Sequence, residues 1–289
     1  MKTLASWFLL SLILLAPATA RTEDKRIVMI AGKPSHGLGE HEFHAGLLLF
    51  QKCLAGFPGI QVEVYSNGWP DSSDVLKGAA AVVIYSDGGI GHPALQDDHL
   101  QQLGALMKQG VGLACLHYAV EPTKEKGERE LIDWMGGCFE INWSVNPVWE
   151  ADFKTLPEHP ITRGVKPFKL KDEWYFNMRF RDGMDPVLAA VPSLSTISRP
   201  DGPHEGNPTV RALVQKGDVP QTLAWATERA DGGRGFGFTG GHYHRNWGNE
   251  NIRKLVLNGI LWVAKVEVPP NGVESTVTAP DLEENLDKK

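Results

Sequence analysis

The sequence of 289 residues contains only three cysteines, Cys53, Cys115 and Cys138, and each lies in an apolar stretch far from the other two. An odd number of widely spaced cysteines does not indicate a disulfide framework. One pair could form in an oxidising compartment, but the sequence does not say which. Disulfides are therefore not expected to define the fold.

Other absences narrow the classes of function. There is no run of five or more basic residues, and the net charge is -6, so neither nucleic acid nor an anionic membrane is an expected partner. The phosphate-loop pattern GxxxxGK[ST] does not occur, and no internal repeat is visible. A soluble domain with a small-molecule ligand is the class that remains.

Long apolar runs are also missing after the first twenty residues. Residues 1–20 contain one lysine, an apolar run from Trp7 to Leu15, and then Ala-Thr-Ala. This pattern predicts a secretory signal peptide that is cleaved after Ala20. No later stretch approaches the 18 apolar residues of a membrane span, so we expect an exported protein, periplasmic or extracellular, without membrane insertion after cleavage.

From residue 26 onward, short apolar runs alternate with helical periodicity, which is typical of a parallel sheet with crossover helices. We predict one α/β domain over residues 21–266, with an irregular or antiparallel extension after residue 122. Residues 267–289 have adjacent prolines, several acids and little to bury, so we predict a tail that is ordered in part at most. The main predicted strands are 26–32, 60–66, 79–89 and 111–120, and the main predicted helices are 41–56, 93–110 and 249–264.

Histidines cluster near the ends of the predicted strands. In an open parallel sheet, ligands bind outside the carboxyl ends of the strands. Seven of the ten histidines lie at or a few residues beyond such an end. They are His36, His41, His44, His92, His117, His242 and His244.

The first of these loops reads "KPSHGLGEHEFHAG" and contains glycines at 37 and 39 that permit a tight turn. The helix is predicted to begin near Glu40 or His41, so Glu40, His41 and His44 would share one helix face. A helix N-terminus favours an anionic or electron-rich ligand. The alternative is ordinary N-capping with solvent-exposed histidines.

"CLHYAVE" places His117 at an elbow between strand and loop, where an imidazole can act as a general base or as a ligand. Cys115, two residues earlier, is interpreted as a small core residue. Glu121, four residues after the elbow, and Glu173, in "KDEWY", are the carboxylates that could pair with a histidine or reach a ligand. Catalytic roles are therefore predicted for His117, His242, Glu173 and Glu121.

Tryptophans crowd the second half of the chain, and most buried tryptophans belong to a core. Trp225 and Trp262 are assigned to the core. Trp174 and Trp247 lie beside polar loops and are candidate platforms for the face of a sugar ring.

Several motifs together resemble the ThuA-like family, which is named for a trehalose-utilisation protein. The motifs occur in order from about residue 26 to residue 265. They are "AGKPSHGLGEHEF", "CLHYAVE", "HPITRGV…F…DEWY", "AWATERADGGRGFGFTGGH" and "NIRKLVLNGILWVA".

This resemblance implies a class I glutamine amidotransferase-like fold, a flavodoxin-like three-layer α/β sandwich. In amidotransferases the nucleophilic cysteine is the third residue of a Gly-x-Cys-x-Gly elbow. Aligning that elbow with "CLHYA" places His117 at the nucleophile position, so the chain is not expected to be a glutamine amidotransferase. The resemblance also implies a carbohydrate ligand and marks His36, Glu40, His41, His117, Glu173 and His242 as matching positions.

We expect acid/base chemistry on a sugar or 3-keto-sugar, by isomerisation, epimerisation or elimination, because a ketone acidifies the neighbouring C–H bond. The substrate would contact His36, Glu40, His41, His44, His92, His244, Trp174 and Trp247. No cofactor is certain, although a divalent metal held by His41, His117 and His242 could polarise the carbonyl. The alternative function is a non-catalytic sugar-binding or accessory protein, and the oligomeric state stays open.

The pair in "GGHYHRNWGNE" is not expected to chelate as one unit. His242, directly after the glycines, is the better site candidate, and His244 is expected to pair with the loop that follows. Asn246 or Asn249 is predicted to cap the helix that starts near Glu250.

Overall fold

The computed structural model describes residues 24–289, so the predicted signal peptide lies outside the described residues. Within them, the helices are α1 (Phe43–Leu54), α2 (His99–Met107), α3 (Glu128–Met135), α4 (Pro208–Gln215) and α5 (Glu250–Val263). The strands are β1 (Lys25–Ala31), β2 (Ile60–Tyr65), β3 (Ala79–Tyr85), β4 (Gly112–Leu116), β5 (Gly137–Cys138), β6 (Val148–Phe153), β7 (Phe168–Glu173), β8 (Arg179–Phe180), β9 (Asp185–Ala190), β10 (Gln221–Glu228) and β11 (Arg234–Phe238).

Seven strands form one mixed sheet in the order β2-β1-β3-β4-β11-β10-β9. The pairs from β2 to β11 are parallel, and β10 is antiparallel to both of its neighbours. Two small antiparallel pairs, β6 with β7 and β5 with β8, make up the extension. The predicted parallel sheet with an antiparallel extension is confirmed.

Two apolar layers cover the sheet, because successive side chains on a strand point to opposite faces. In β1, Ile27 and Met29 join the core that contains α1 and α5, whereas Val28 and Ile30 join the core that contains α2 and α3. The arrangement is a three-layer sandwich. Among residues 24–289, no helix combines the length and the apolarity that crossing a bilayer requires.

The differences from the sequence-based prediction include two boundaries and one additional helix. Helix α1 begins at Phe43 because His41 has a left-handed backbone (φ 48°) that a right-handed helix does not continue. Strand β4 ends at Leu116 for the same reason, since His117 also has positive φ (57°). Helix α4 was not predicted; Asn207 caps it by accepting a hydrogen bond from the Val210 N–H.

Residues 267–289, predicted as a tail with little to bury, pack against the domain. Val268 and Val273 are buried, and a short 3₁₀ turn spans Pro280–Leu282. The end of the chain returns to the first loop, where the Asp287 N–H donates to Glu42 and the Lys289 ammonium donates to the Gly37 carbonyl. The segment has few apolar groups but supplies the partners that the buried Glu42 carboxylate needs.

Candidate functional site

A polar cluster lies where the parallel strands end, near the point at which the strand order reverses between β1 and β3. Loops after four neighbouring strands contribute to it: His41 follows β1, Asp87 follows β3, His117 follows β4 and His242 follows β11. Glu173 comes from the end of β7. Ligands of open α/β sheets bind at this type of position.

His41 is held by its own backbone and by Asp87. The His41 N–H donates to the His242 carbonyl at 3.0 Å, and Nδ1 lies 2.9 Å from Asp87 Oδ1. A carboxylate accepts hydrogen bonds, so the proton of the neutral ring is on Nδ1 and the lone pair is on Nε2. Burial, followed by the charges of His36 and His242, lowers the pKa of His41 to about 2.

His117 is oriented in the same way by a backbone carbonyl. Its Nδ1 donates to the Thr239 oxygen at 2.9 Å, and its Nε2 lies 3.0 Å from His41 Nε2. Burial, followed by the charge of His41, lowers the pKa of His117 well below the ordinary value, so the ring is neutral at pH 7. His117 is fully buried and does not line the cavity, which argues against the predicted role of a base in contact with substrate.

His242 is placed by a buried carboxylate. Asp172 accepts hydrogen bonds from the N–H groups of Glu173, Gly241 and His242, and from the Asn246 amide, all at 2.8–3.0 Å. Burial raises the pKa of Asp172, and these donors oppose the rise. This carboxylate therefore joins the end of β7 to the loop after β11.

The two glycines before His242 serve packing rather than ligand contact. A Cβ at Gly240 would lie 2.4 Å from the Trp174 ring, and Gly241 has φ +103° above the Trp247 ring. The Trp174 and Trp247 rings therefore occupy the space that a side chain at either position would need.

Glu173 completes the cluster. Its Oε2 lies 3.3 Å from His242 Nδ1, 3.6 Å from His117 Nε2 and 3.3 Å from the Tyr175 hydroxyl, which donates to it. Burial alone would raise the pKa of Glu173, but hydrogen bonding to His242 and the charges of His117 and His242 lower it. The pKa of His242 is raised by the same contact with Glu173, against the effect of burial.

Two groups within residues 24–289 have the composition of metal ligands. One nitrogen each of His41, His117 and His242 and one oxygen of Glu173 all lie within 4.8 Å of one another. His36, His41 and Asp87 form a second group with the same limit. The second group uses the other nitrogen of His41, so it adjoins the first.

A cavity of about 170 Å³ opens beside the cluster and also contains His204. His204 Nε2 lies 2.9 and 3.1 Å from the two oxygens of Glu121, a buried carboxylate. Hydrogen bonding to Glu121 raises the pKa of His204 against the effect of burial, and burial raises the pKa of Glu121. The lining residues are His36, His41, Tyr118, Asn146, Glu173, Tyr175, Arg199, His204 and Glu205.

Larger clefts of about 350 and 320 Å³ lie elsewhere on the surface. Neither contains a member of the His41–His117–His242–Glu173 cluster. We place the candidate site in the smaller cavity because buried ionisable groups with shifted pKa values converge there.

Five residues predicted to contact substrate lie elsewhere. His44 is on α1, away from the cavity, because the helix starts after His41 and the two residues do not share a helix face. His92 is buried as a cap: its Nδ1 accepts from the Ala94 N–H, and its Nε2 donates to the Ala119 carbonyl. Burial lowers the pKa of His92 to about 4. The His92 ring is therefore structural.

His244 and the two tryptophans are also structural. His244 is buried outside the cluster, and burial lowers its pKa to about 4. Trp174 and Trp247 are fully buried; the Trp174 ring packs on Phe153 and Phe238, and the Trp247 ring packs on Phe50. They support the loop after β11 from behind and offer no face to a sugar.

The remaining predicted residues lie at the rim or beside the cluster. His36 stacks on His41 with ring centroids 3.6 Å apart and lines the cavity, and Glu40 Oε1 lies 3.6 Å from His242 Nε2. Asn249 caps α5, which begins at Glu250 as predicted. Cys115 is fully buried, and burial raises the pKa of its thiol, so its environment disfavours a thiolate nucleophile.

Sequence reasoning missed His204, Asp87 and Tyr175. Asp87 follows a strand end, and Tyr175 is the aromatic residue of "DEWY", so both had a positional signal. His204 lies in the loop "RPDGPHEG", which is separated from the end of edge strand β9 by a 3₁₀ turn at Leu194–Ile197. Its only sequence signal is a histidine and a glutamate among turn-forming residues.

Comparison with known proteins gives one family. A family model described as "ThuA: Trehalose utilisation" matches residues 27–263. No protein with a curated description matches the sequence significantly.

Solved structures resemble the fold. A ThuA-like protein from Bacteroides uniformis ATCC 8492 is 16% identical with a TM-score of 0.60, covering 86% of this chain and 95% of that chain. A ThuA-like protein from Parabacteroides merdae ATCC 43184 is 15% identical with a TM-score of 0.56, and the match covers 89% of this chain and 94% of that chain. A cytoplasmic protein from Salmonella typhimurium is 15% identical with a TM-score of 0.50, and the match covers 83% of this chain and 97% of that chain. At these identities the likeness concerns the fold alone, which is an α/β sandwich around a mostly parallel seven-stranded sheet.

Proposed function

We propose, from the membership of this chain in the ThuA family, that it is an exported enzyme that processes a sugar or a 3-keto-sugar by proton transfer. The membership is shown because the family model matches residues 27–263, most of the sequence. The family description gives it a role related to trehalose utilisation. The observation that carries the proposal is that a histidine–carboxylate pair and a polar cluster share one cavity.

His204 is the proposed acid/base. Its Nε2 faces both oxygens of Glu121, so that nitrogen holds the proton and Nδ1 of the neutral ring holds the lone pair. A base that is oriented by a carboxylate is the arrangement that nucleophilic and acid/base enzymes share. His204 also lines the cavity, whereas the Glu121 side chain is only 2% exposed.

Arg199 is the proposed polariser, because it lines the cavity and its buried Nε donor has no acceptor among residues 24–289. When a keto-sugar oxygen accepts this hydrogen bond, the neighbouring C–H bond becomes more acidic. His204 removes that proton, and the electron pair moves to the oxygen, which gives an enolate. Delivery of a proton to the opposite face of the same carbon gives an epimer. Transfer of the neighbouring hydroxyl proton to the enolate oxygen, with return of the carbon-bound proton to the former carbonyl carbon, gives an isomer. Expulsion of a β-oxygen that takes the proton from the His204 imidazolium gives elimination.

Cavity size and lining support a sugar ring as the ligand. Ligand pockets are commonly about 300–1,000 Å³, so a cavity of about 170 Å³ suits one ring better than a whole disaccharide. Arg199 and Asn146 line it, and the buried Arg199 Nε finds no acceptor among residues 24–289. Such a donor fits a hydroxyl or carbonyl oxygen.

The pH dependence of turnover tests the role of the pair. Glu121 raises the pKa of His204 above its ordinary 6.5, and Glu205, Glu173 and Tyr118 also face this ring. The base works when deprotonated, so kcat/KM should rise with pH through that raised pKa. Glu121→Gln removes the carboxylate charge that raises the pKa of His204. The rise of kcat/KM on the acid side of the pH profile, its acid limb, should therefore move to lower pH.

The matched control for this prediction is Glu125→Gln, which changes an exposed glutamate. Its acid limb should coincide with that of the wild type. An unchanged limb in Glu121→Gln, or a shift to higher pH, would show that the pair does not govern turnover.

The substrate test incubates the protein with trehalose, other disaccharides and their 3-keto derivatives while NMR follows the products. Conversion of at least one 3-keto compound is expected. The alternative, a non-catalytic sugar-binding or accessory protein, predicts sugar-dependent shifts in protein resonances with no product from any compound.

A further inference from the structure

The four groups that converge beside the cavity are electron-pair donors. His41 Nε2 holds a lone pair because its Nδ1 proton is directed to Asp87, and His117 Nε2 holds one because its Nδ1 proton is directed to the Thr239 carbonyl. These two Nε2 atoms are 3.0 Å apart. With both protons on the far sides of the rings, no hydrogen lies between them, and facing lone pairs repel.

The hydrogen-bond donors nearby are too few to satisfy all of these lone-pair atoms. Tyr175 has one hydroxyl proton and is 3.3 Å from both His117 Nε2 and Glu173 Oε2, so it can serve one of them fully. His242 Nδ1 lies 3.0 Å from His41 Nε2 and 3.3 Å from Glu173 Oε2. A cation among the four atoms would satisfy all of them at once.

We propose that His41 Nε2, His117 Nε2, His242 Nδ1 and Glu173 Oε2 form a binding site for a divalent transition-metal ion of the Zn²⁺ class. Donor atoms about 2.0–2.2 Å from a tetrahedral zinc ion lie about 3.3–3.6 Å from one another. Four of the six separations among these atoms, at 3.0, 3.0, 3.3 and 3.6 Å, are close to this pattern.

The outer contacts of the cluster also have the form of a metal site. Histidine ligands usually donate their second ring N–H to a carboxylate or a carbonyl. Asp87 and the Thr239 carbonyl take these roles for His41 and His117, and Asp172 fixes the His242 backbone. Imidazole nitrogens with one carboxylate oxygen favour zinc and its transition-metal neighbours over Mg²⁺ or Ca²⁺.

The backbone provides a further argument. His36, His41 and His117 all have left-handed conformations, with φ of 61°, 48° and 57°. Each such residue costs on the order of 1–3 kcal/mol, and strain of this kind concentrates at functional sites. In His41 and His117 it directs buried imidazoles to one point.

This inference rests on the proposed function, because a bound metal ion would polarise the keto-sugar oxygen from the cluster side of the cavity, which the lone-pair atoms of the cluster cannot do by themselves. His41 and Glu173 line the cavity, so one side of the site is accessible to a ligand. The binding of metal can be measured without any sugar, so the two proposals can fail separately.

The test uses the untagged full chain, freed of metal by chelation and titrated with Zn²⁺ by calorimetry. One ion per chain and a raised Tm are expected. Glu173→Gln and His41→Gln each remove one proposed ligand. Each should weaken Zn²⁺ binding by at least about 10- to 100-fold, which is the usual effect of losing only an outer contact of a metal ligand. Co²⁺ should give visible absorption bands in the wild type that are lost in both variants.

Two matched controls are Glu121→Gln and His44→Gln, which change a carboxylate and a histidine outside the cluster and should bind Zn²⁺ like the wild type. The proposal is overturned if the folded wild type binds no stoichiometric Zn²⁺, or if both ligand variants bind it as tightly as the wild type. Circular dichroism of each variant establishes that it is folded.

Discussion

Replacing His204 with asparagine should lower kcat for a 3-keto-sugar by about 10²- to 10⁴-fold, the range typical of a general acid or base. Asparagine keeps a polar side chain of similar reach but cannot accept a proton near neutral pH. The ring is about one quarter exposed and stacks on Phe139, so the change should leave the fold intact. Steady-state kinetics with the substrate identified by NMR measures the effect.

The matched control is His44→Asn, which makes the same substitution on α1 outside the cavity. Its kcat should stay within about two-fold of the wild type, since nothing in the proposed reaction touches it. If His204→Asn retains nearly full turnover, the base is another group and the role of the Glu121–His204 pair must be abandoned.

Replacing Asp172 with alanine should lower the free energy of unfolding by about 3–5 kcal/mol. The substitution leaves three backbone N–H groups and the Asn246 amide without their acceptor. Each buried donor that loses its partner costs about 1–3 kcal/mol, and the contributions are not fully additive. Urea denaturation measures the change.

Two further variants test whether the loss of stability comes from the hydrogen bonds of Asp172. Asp172→Asn keeps an oxygen for the Glu173 and His242 N–H groups and should lose about half as much stability. Asp182→Ala removes an exposed carboxylate and should stay within about 0.5 kcal/mol of the wild type. A loss of less than about 1 kcal/mol for Asp172→Ala would mean that Asp172 does not hold the loop after β11.

The sequence predicted the sheet and its layers because burial imposes a period on the chain. Continuous apolar strands such as 79–85 and 112–116 can lie only in a sheet that is covered on both faces. Helix starts were less accurate, because His41 has a left-handed backbone that apolar periodicity does not reveal. The packing of the C-terminal segment gave little signal, because its buried valines are isolated in the sequence and its partner Glu42 is distant.

Within the site, position after a strand identified His41, His117 and His242 as candidates. It could not separate them from His92, which has the same kind of position but caps a turn. That difference depends on where each ring nitrogen finds its partner, and those partners are distant in sequence: Thr239 for His117, and His242 for His41. His204 was missed because a long loop brings it to the cavity.

For the aromatic residues too, position in the sequence did not give the direction of the side chain. Trp174 and Trp247 lie next to polar loops in sequence, yet both are fully buried behind the loop after β11. Adjacency along the chain does not give the direction of a side chain. Tyr175, one residue after Trp174, points the other way and contacts Glu173 and His117.

The most direct test of the central claim is the exchange of a carbon-bound hydrogen with solvent. A 3-keto-disaccharide is incubated in D₂O with the wild type and with His204→Asn, and NMR follows the C–H signals beside the ketone. The account predicts that the wild type removes one of these hydrogens, seen as deuterium incorporation at that carbon or as loss of its C–H in an elimination product, and that both are lost in the variant together with turnover. Turnover by the wild type that leaves every C–H bond beside the ketone in place without exchange, or equal exchange by the variant, would contradict it.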